Sequence, residues 1–145
     1  MSNGFGEHSR LWLCFSIRNF KADPDQITKL LGQKPTRVLK KGKPVPNGRV
    51  NAKFNSWTIH SKKDRFDLEG LVNTLLKKLR KFKSLHPCIG KFDASLTVIL
   101  EVVGEDTRPA VSLTAKQLQA LGEMGIVFSV DYYFFLTMDQ IDISR

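Results

Sequence analysis

Histidine and cysteine are the residue types in this sequence that would ligate a transition metal or attack a substrate. The three histidines, His8, His60 and His86, are far apart, and none has a second ligand at the spacing of a zinc motif. The two cysteines, Cys14 and Cys88, stand in neither a metal-binding nor a redox spacing. We therefore predict no metal site, no cofactor and two reduced, buried thiols, although the sequence does not show whether the two thiols lie close enough for a disulfide.

One pair of residues has nucleophilic potential. Cys14 and His60 both fall in segments with strand periodicity, so a thiol would meet an imidazole if those strands were neighbours. A small apolar cysteine and a surface histidine explain the same residues without chemistry, and we prefer that interpretation. Asp64, Asp67 and Glu69 cluster where a helix begins, and capping accounts for them. No glycine-rich phosphate-binding motif occurs, so the sequence predicts a protein without enzymatic activity.

Basic residues are concentrated in the middle of the chain. The net charge is +9, from 23 Lys and Arg against 14 Asp and Glu. No acidic residue occurs between Asp25 and Asp64, whereas ten basic residues do. They are Lys29, Lys34, Arg37, Lys40, Lys41, Lys43, Arg49, Lys53, Lys62 and Lys63. This asymmetry favours a polyanionic or acidic partner.

Length and composition predict a single domain. A chain of 145 residues with 41% hydrophobic residues is long and apolar enough to bury a core. We expect this core over about residues 10–137, with flexible segments at 1–9 and 138–145. No apolar run approaches the roughly 20 residues of a membrane span, and no secretory signal is visible. We therefore expect a cytoplasmic protein without a membrane partner.

Hydrophobic periodicity predicts the elements that carry these residues. Strand patterns occur at "LWLCFSIRNF", around residues 36–40, and at "SWTIHS", "ASLTVILEVVG", "PAVSL" and "GIVFSVDYYFFL". The first is apolar on both faces near its start, which is typical of a central strand. In "SWTIHS" the alternation points Trp57 and Ile59 inward and Thr58 and His60 outward. Prolines and glycines between the second and third strands predict a long loop.

Three capped helices separate these strands, beginning at Asp23, Asp67 and Thr114. The segments "FSIRNFKADPDQITKLLGQKPTRV" and "AVSLTAKQLQALGEMGIVFSV" echo each other as strand, short helix and strand. The pattern predicts an α+β fold, with an antiparallel or mixed sheet, helices packed on one face and duplicated ferredoxin-like β-α-β units.

An ordered set of motifs resembles the bacterial domain family of unknown function DUF4279. The set consists of "DPDQITKLLGQKPTRVLKKG", a tryptophan that opens the next strand, and "DLEGLVNTLLKKL". The matching residues are Asp23, Pro24, Leu31, Gly32, Pro35, Thr36, Lys41, Gly42 and Trp57. The resemblance extends over about residues 11–136 and implies a small bacterial cytoplasmic protein, with no established activity or catalytic residues to transfer.

The functional hypothesis is a non-enzymatic binding domain whose basic loop, residues 34–53, engages an acidic macromolecular partner, preferably a protein. Its candidate binding residues are Arg37, Lys40, Lys41, Lys43, Arg49, Lys53, Phe54 and Trp57. An immunity-type protein that blocks a toxin, or an adaptor, would be one form of it. The alternative is RNA or single-stranded DNA binding, in which Phe54 and Trp57 stack on bases beside the same loop.

Overall fold

A single five-stranded sheet organises the molecule. The computed structural model describes residues 8–46, 48–64, 66–82, 85, 92–104, 106 and 109–135. The strands are β1 (Arg10–Arg18), β2 (Arg37–Leu39), β3 (Ser56–His60), β4 (Asp93–Val103) and β5 (Val127–Phe135). The helices are α1 (Pro24–Leu31), α2 (Leu68–Arg80) and α3 (Ala115–Met124). Among the described residues, no helix combines the length and the apolarity needed to cross a bilayer.

The helices begin where the capping residues predict. Asp23, Asp67 and Thr114 each accept a hydrogen bond from a backbone N–H in the first turn of their helix. Thr114 and Gln117 form a reciprocal capping box, which satisfies two backbone donors at once. Gly32 ends α1 with a φ of 68°, in the left-handed region that a side chain would disfavour. The predicted starts of all three helices are confirmed.

One face of the sheet forms the core. On β1 the residues that face the helices are at most 1% exposed: Leu11, Leu13, Phe15 and Ile17. The apolar stripe of α2 packs into the same cluster through Leu68, Leu71, Val72, Leu75, Leu76 and Leu79. Burying one such side chain contributes about 1.5–3 kcal/mol, and this burial holds the helices on that face. The predicted arrangement, helices on one face of the sheet, is confirmed.

The strand order is β2-β3-β1-β4-β5, with β1 in the centre as its two apolar faces predicted. All neighbouring pairs are antiparallel except β4 and β5, which are parallel. From β1 to β4 the elements follow the order β-α-β-β-α-β, and β3 lies between β1 and β2 as in a split βαβ unit.

The second strand–helix–strand unit differs from the prediction. The segment "PAVSL", residues 109–113, is not a strand. Its short alternating pattern is instead used in a connector from which Val111 and Leu113 pack against the core. The strand that precedes α3 is β4, which pairs with β5 in parallel. The α+β class is confirmed, whereas duplication of a ferredoxin-like unit is not.

The face of the sheet opposite the helices is lined by a mixture of polar, small and aromatic side chains. On β1 these are Trp12, Cys14, Ser16 and Arg18, which alternate with the core residues. Hydroxyl groups bond across the strands, with Ser16 Oγ 2.9 Å from Thr58 Oγ1. A second such pair joins β4 to β5. We call this surface the open face.

Candidate binding site

The connector between β2 and β3 is an ordered hairpin rather than the predicted long loop. The Gly42 N–H donates to the Ala52 carbonyl at 2.9 Å, and the Ala52 N–H donates to the Lys43 carbonyl at 2.7 Å. Nearer the tip, the Val45 N–H donates to the Val50 carbonyl at 2.9 Å. We call residues 40–53 the basic hairpin.

The prolines of the connector are compatible with this pairing. Pro44 lies opposite Asn51 in an isolated bridge, and the N–H groups that form the hairpin belong to other residues. Gly42 and Gly48 have φ values of 81° and 71°, which allow the chain to reverse where a side chain would be strained. Proline and glycine were interpreted as signals for irregular structure, but here they occupy the positions that a small hairpin tolerates.

Asn55 fixes the base of the basic hairpin to the body of the domain. Its side-chain oxygen accepts a hydrogen bond from the Lys41 N–H at 2.7 Å. Its side-chain nitrogen donates to the carbonyls of Phe20 and Ala22, at 2.9 and 3.2 Å. One amide therefore connects the hairpin to the segment between β1 and α1, and the hairpin projects from a defined position.

The lysines of the basic hairpin differ in their surroundings. Lys41, Lys43 and Lys53 are exposed, and none forms an ion pair with a carboxylate in the described part of the chain. Lys40 differs, because its ammonium lies 3.3 Å from the carboxylate of Asp23, the residue that caps α1. The Asp25 backbone N–H, and secondarily Lys40, lower the pKa of the Asp23 carboxyl. Lys40 is thus partly engaged inside the protein.

The remaining candidate residues separate into three locations. Arg49 is exposed on the basic hairpin. Arg37 lies on β2 opposite Thr58, on the open face. Phe54 is partly buried at the edge of that face, where the guanidinium carbon of Arg18 lies 5.8 Å from its ring centroid.

Trp57 lies in the core and is 0% exposed. Its indole N–H donates to the Thr28 hydroxyl of α1 at 3.0 Å, and its ring packs edge-on against Phe82. The inward orientation predicted from the strand alternation is confirmed. The predicted binding role of Trp57 is wrong, because a ring without accessible surface cannot stack on a base or contact a partner.

The open face contains a cleft beside the basic hairpin, with a volume of about 180 Å³. We call it the open-face cleft, and its lining residues are Cys14, Ser16, Arg18, Arg37, Leu39, Phe54, Ser56, Thr58 and His60. Strand pairing assembles it, since β3 lies between β1 and β2 and the same-face residues of all three strands adjoin. In the sequence, the alternation of the strands predicted only that such residues point away from the core, not that they line a common cleft.

Cys14 and His60 are paired directly across β1 and β3, so the predicted possibility that they would meet is realised. Burial raises the pKa of the Cys14 thiol, against the opposing effects of the Ser16 hydroxyl and two arginines. Partial burial lowers the pKa of His60, and the charges of Arg37 and Lys63 lower it further. Both groups are therefore neutral near pH 7, which is unlike the thiolate–imidazolium pair of a cysteine nucleophile.

Among the residues that the structure describes, no group of three or more His, Cys, Asp or Glu side chains is placed to bind a metal ion. His86 and Cys88 lie outside the described residues, as do the terminal segments 1–7 and 138–145.

Comparison with known proteins identifies a family. A family model described as a domain of unknown function, DUF4279, matches residues 9–135. The match includes every described strand and helix. No curated protein and no solved structure matches the chain.

Proposed function

The chain belongs to the DUF4279 family, a domain family without an assigned function, and we propose that it is a non-enzymatic binding domain for an acidic macromolecular partner. The basic hairpin is the binding element. The partner is an acidic protein, and an immunity-type or adaptor role in a bacterial cytoplasm is the form that we propose, in keeping with the setting that the family resemblance implied.

The observation that carries this proposal is the folding of an acid-free segment into one projecting hairpin. The ten basic residues between Asp25 and Asp64 include those of the basic hairpin. Three of its lysines are exposed and unpaired with described carboxylates: Lys41, Lys43 and Lys53. A concentration of one charge sign attracts an oppositely charged partner over a distance and accelerates association. Because the backbone of the hairpin is already hydrogen-bonded, less conformational entropy is lost on binding.

The burial of Trp57 favours a protein over nucleic acid. Binding of RNA or single-stranded DNA would need exposed aromatic rings beside the basic residues. Trp57, the larger of the two candidate rings, is buried and cannot stack on a base. Phe54 remains, as one partly buried ring. These features support an acidic protein surface as the partner.

A charge-neutralised hairpin tests the proposal. The variant Lys41→Gln, Lys43→Gln, Lys53→Gln removes three positive charges and retains Lys40, whose ion pair with Asp23 contributes to the start of α1. The matched control removes three exposed lysines from and just after α2, as Lys77→Gln, Lys78→Gln, Lys81→Gln. Poly-glutamate and a single-stranded oligonucleotide of equal charge are the probes, with binding measured by fluorescence anisotropy at low and physiological salt.

We expect wild type to bind poly-glutamate, and the hairpin variant to lose at least about tenfold in affinity, which is about 1.4 kcal/mol. The control variant should change by less than half of that free energy. An equal loss in both variants would show a diffuse charge effect and contradict the proposal. Tighter binding of the oligonucleotide, with a steep fall in affinity as salt rises, would favour the nucleic-acid alternative instead.

A further inference from the structure

The open-face cleft carries a chemistry that the basic hairpin does not have. Two guanidinium groups line it, from Arg18 on β1 and Arg37 on β2. Both arginines are exposed, and in the described part of the chain neither forms an ion pair. The hydroxyl groups of Ser56 and Thr58 on β3 lie between them, and that of Ser16 adjoins on β1. Positive charges and neutral donors therefore share one small concave surface.

Strand register brings the two arginines toward the same point. Arg18 lies opposite Ser56, and Arg37 lies opposite Thr58, so the arginines flank β3 on neighbouring same-face positions. With strands about 4.8 Å apart and same-face residues about 6.7 Å apart, their Cα atoms are about 12 Å apart. Two extended arginine side chains span that separation from opposite sides. Both guanidinium charges also act to lower the pKa of Cys14, which lies on the same face.

One end of the open-face cleft is apolar. Phe54 and Leu39 form this end, and the Arg18 guanidinium lies over the Phe54 ring. The volume of about 180 Å³ is smaller than the roughly 300–1,000 Å³ of sites for drug-sized ligands. A compact ligand with one anionic group and one apolar group therefore fits the lining better than a nucleotide or a long chain.

We propose that the open-face cleft binds a small organic phosphate, a phosphate monoester with a compact apolar group. Arg18 and Arg37 contact the phosphate with charge-assisted hydrogen bonds, and the Ser56 hydroxyl donates to a remaining oxygen. Phe54 and Leu39 contact the organic part. Donors that approach from both sides of β3 suit the three oxygens of a phosphate better than the two coplanar oxygens of a carboxylate. This site is independent of the partner of the basic hairpin.

The test titrates the full-length protein with three probes: phenyl phosphate, inorganic phosphate and benzoate. Calorimetry gives the affinities, and amide chemical shifts locate the binding. We expect saturable binding of phenyl phosphate, with inorganic phosphate and benzoate each weaker. Arg18→Gln and Arg37→Gln should each weaken phenyl phosphate by at least about tenfold, as the loss of a charge-assisted hydrogen bond does. Arg80→Gln, an exposed position on α2, is the matched control and should change nothing.

Two further variants separate the parts of this inference. Phe54→Leu should weaken phenyl phosphate and leave inorganic phosphate unchanged. The triple hairpin variant with glutamine at 41, 43 and 53 should retain phenyl phosphate affinity, so failure here is distinguishable from failure of the proposed function. An absence of saturable binding at millimolar phenyl phosphate overturns the inference. Equal losses in the Arg37→Gln and Arg80→Gln variants, or benzoate binding as tightly as phenyl phosphate, overturn it too.

Discussion

At the scale of single residues, the surroundings of Cys14 and His60 decide what these groups can do. They lie directly opposite each other on neighbouring strands, which places their side chains on the same face of the sheet. Burial nevertheless raises the pKa of the thiol, and burial together with Arg37 and Lys63 lowers the pKa of the imidazole. A neutral imidazole on the rim of the open-face cleft can donate or accept one hydrogen bond, and it adds no charge to the two arginines.

The titration of His60 provides the first prediction at this scale. Its pKa should lie below the ordinary value of 6.5, and Arg37→Gln should raise it toward that value because one of the nearby charges is removed. The ring proton shifts of His60, followed by NMR from pH 8 to pH 4, measure both values. Lys29→Gln, on α1, is the control and should leave the titration unchanged. The same His60 pKa in wild type and in Arg37→Gln would contradict this electrostatic explanation.

The sign of the stability effect follows from the same shift. Because the folded-state pKa of His60 lies below 6.5, the unfolded chain takes up the proton first as the pH falls. Above pH 6.5 this residue therefore causes no loss of stability. Below pH 6.5 stability falls, and the loss is complete once the pH is below the folded-state pKa. Replacement of His60 by Gln should flatten that part of the dependence of the unfolding midpoint on pH.

At the scale of the elements, Asn55 determines how the basic hairpin is held. Its amide is one link between the hairpin and the segment that joins β1 to α1, through one accepted and two donated hydrogen bonds, and the Lys40–Asp23 ion pair is another. A hairpin of so few backbone hydrogen bonds would otherwise move independently of the sheet. The two donated bonds are partly buried, so their loss leaves the carbonyls of Phe20 and Ala22 without these partners.

The second prediction concerns this link. Asn55→Ala should lower the free energy of unfolding by about 1–3 kcal/mol, since three backbone groups lose a partner. Urea denaturation measures the loss, and hydrogen exchange at the Lys41 amide should become faster. Asn51→Ala, at an exposed position of the hairpin, is the matched control and should change little. Unchanged exchange at Lys41 in Asn55→Ala would show that the hairpin is held in another way.

The elements also show where prediction from the sequence succeeds and fails. Caps at Asp23 and Thr114 were predictable because each depends on residues within three positions of it. The basic hairpin was expected to be irregular, because the pairing of Gly42 with Ala52 has no signature in residue types. The open-face cleft was missed for a related reason. Most of its lining residues lie on β1, β2 and β3. That these three strands are adjacent follows from the strand order of the sheet, which the hydrophobic pattern of each segment does not reveal.

At the scale of the whole molecule, the two faces of the sheet have separate tasks. The helix-covered face contains the buried hydrophobic cluster, and the open face and the basic hairpin contain the residues of the two proposed sites. The class of fold was predictable from the sequence because alternation and helical periodicity assign each residue to a side. The duplication predicted from the echo is not confirmed, because an echo between two segments does not reveal whether both pair in the same way.

The third prediction tests this separation by excision. In this variant Asn-Gly replaces residues 42–53. Asn-Gly favours a two-residue hairpin turn, so it would connect Lys41 to Phe54 and join β2 to β3 by a tight turn. Among the described residues of that stretch, only Ala52 is buried, so the free energy of unfolding should fall by less than about 1 kcal/mol. Cooperative urea unfolding and retained phenyl phosphate binding, with loss of poly-glutamate binding, are the expected results. Non-cooperative unfolding would show that the hairpin is part of the core structure.

The central position of β1 has a consequence for biosynthesis. Arg10 of β1 is paired with Glu101 of β4, which follows it by 91 residues. At a translation rate of roughly 5–20 residues per second, this separation corresponds to an interval of roughly 5–20 s. Throughout it, the edge of β1 that will pair with β4 has no partner, because β4 has not yet been synthesised. During that interval the unpaired edge of β1 would be a binding site for a ribosome-associated chaperone.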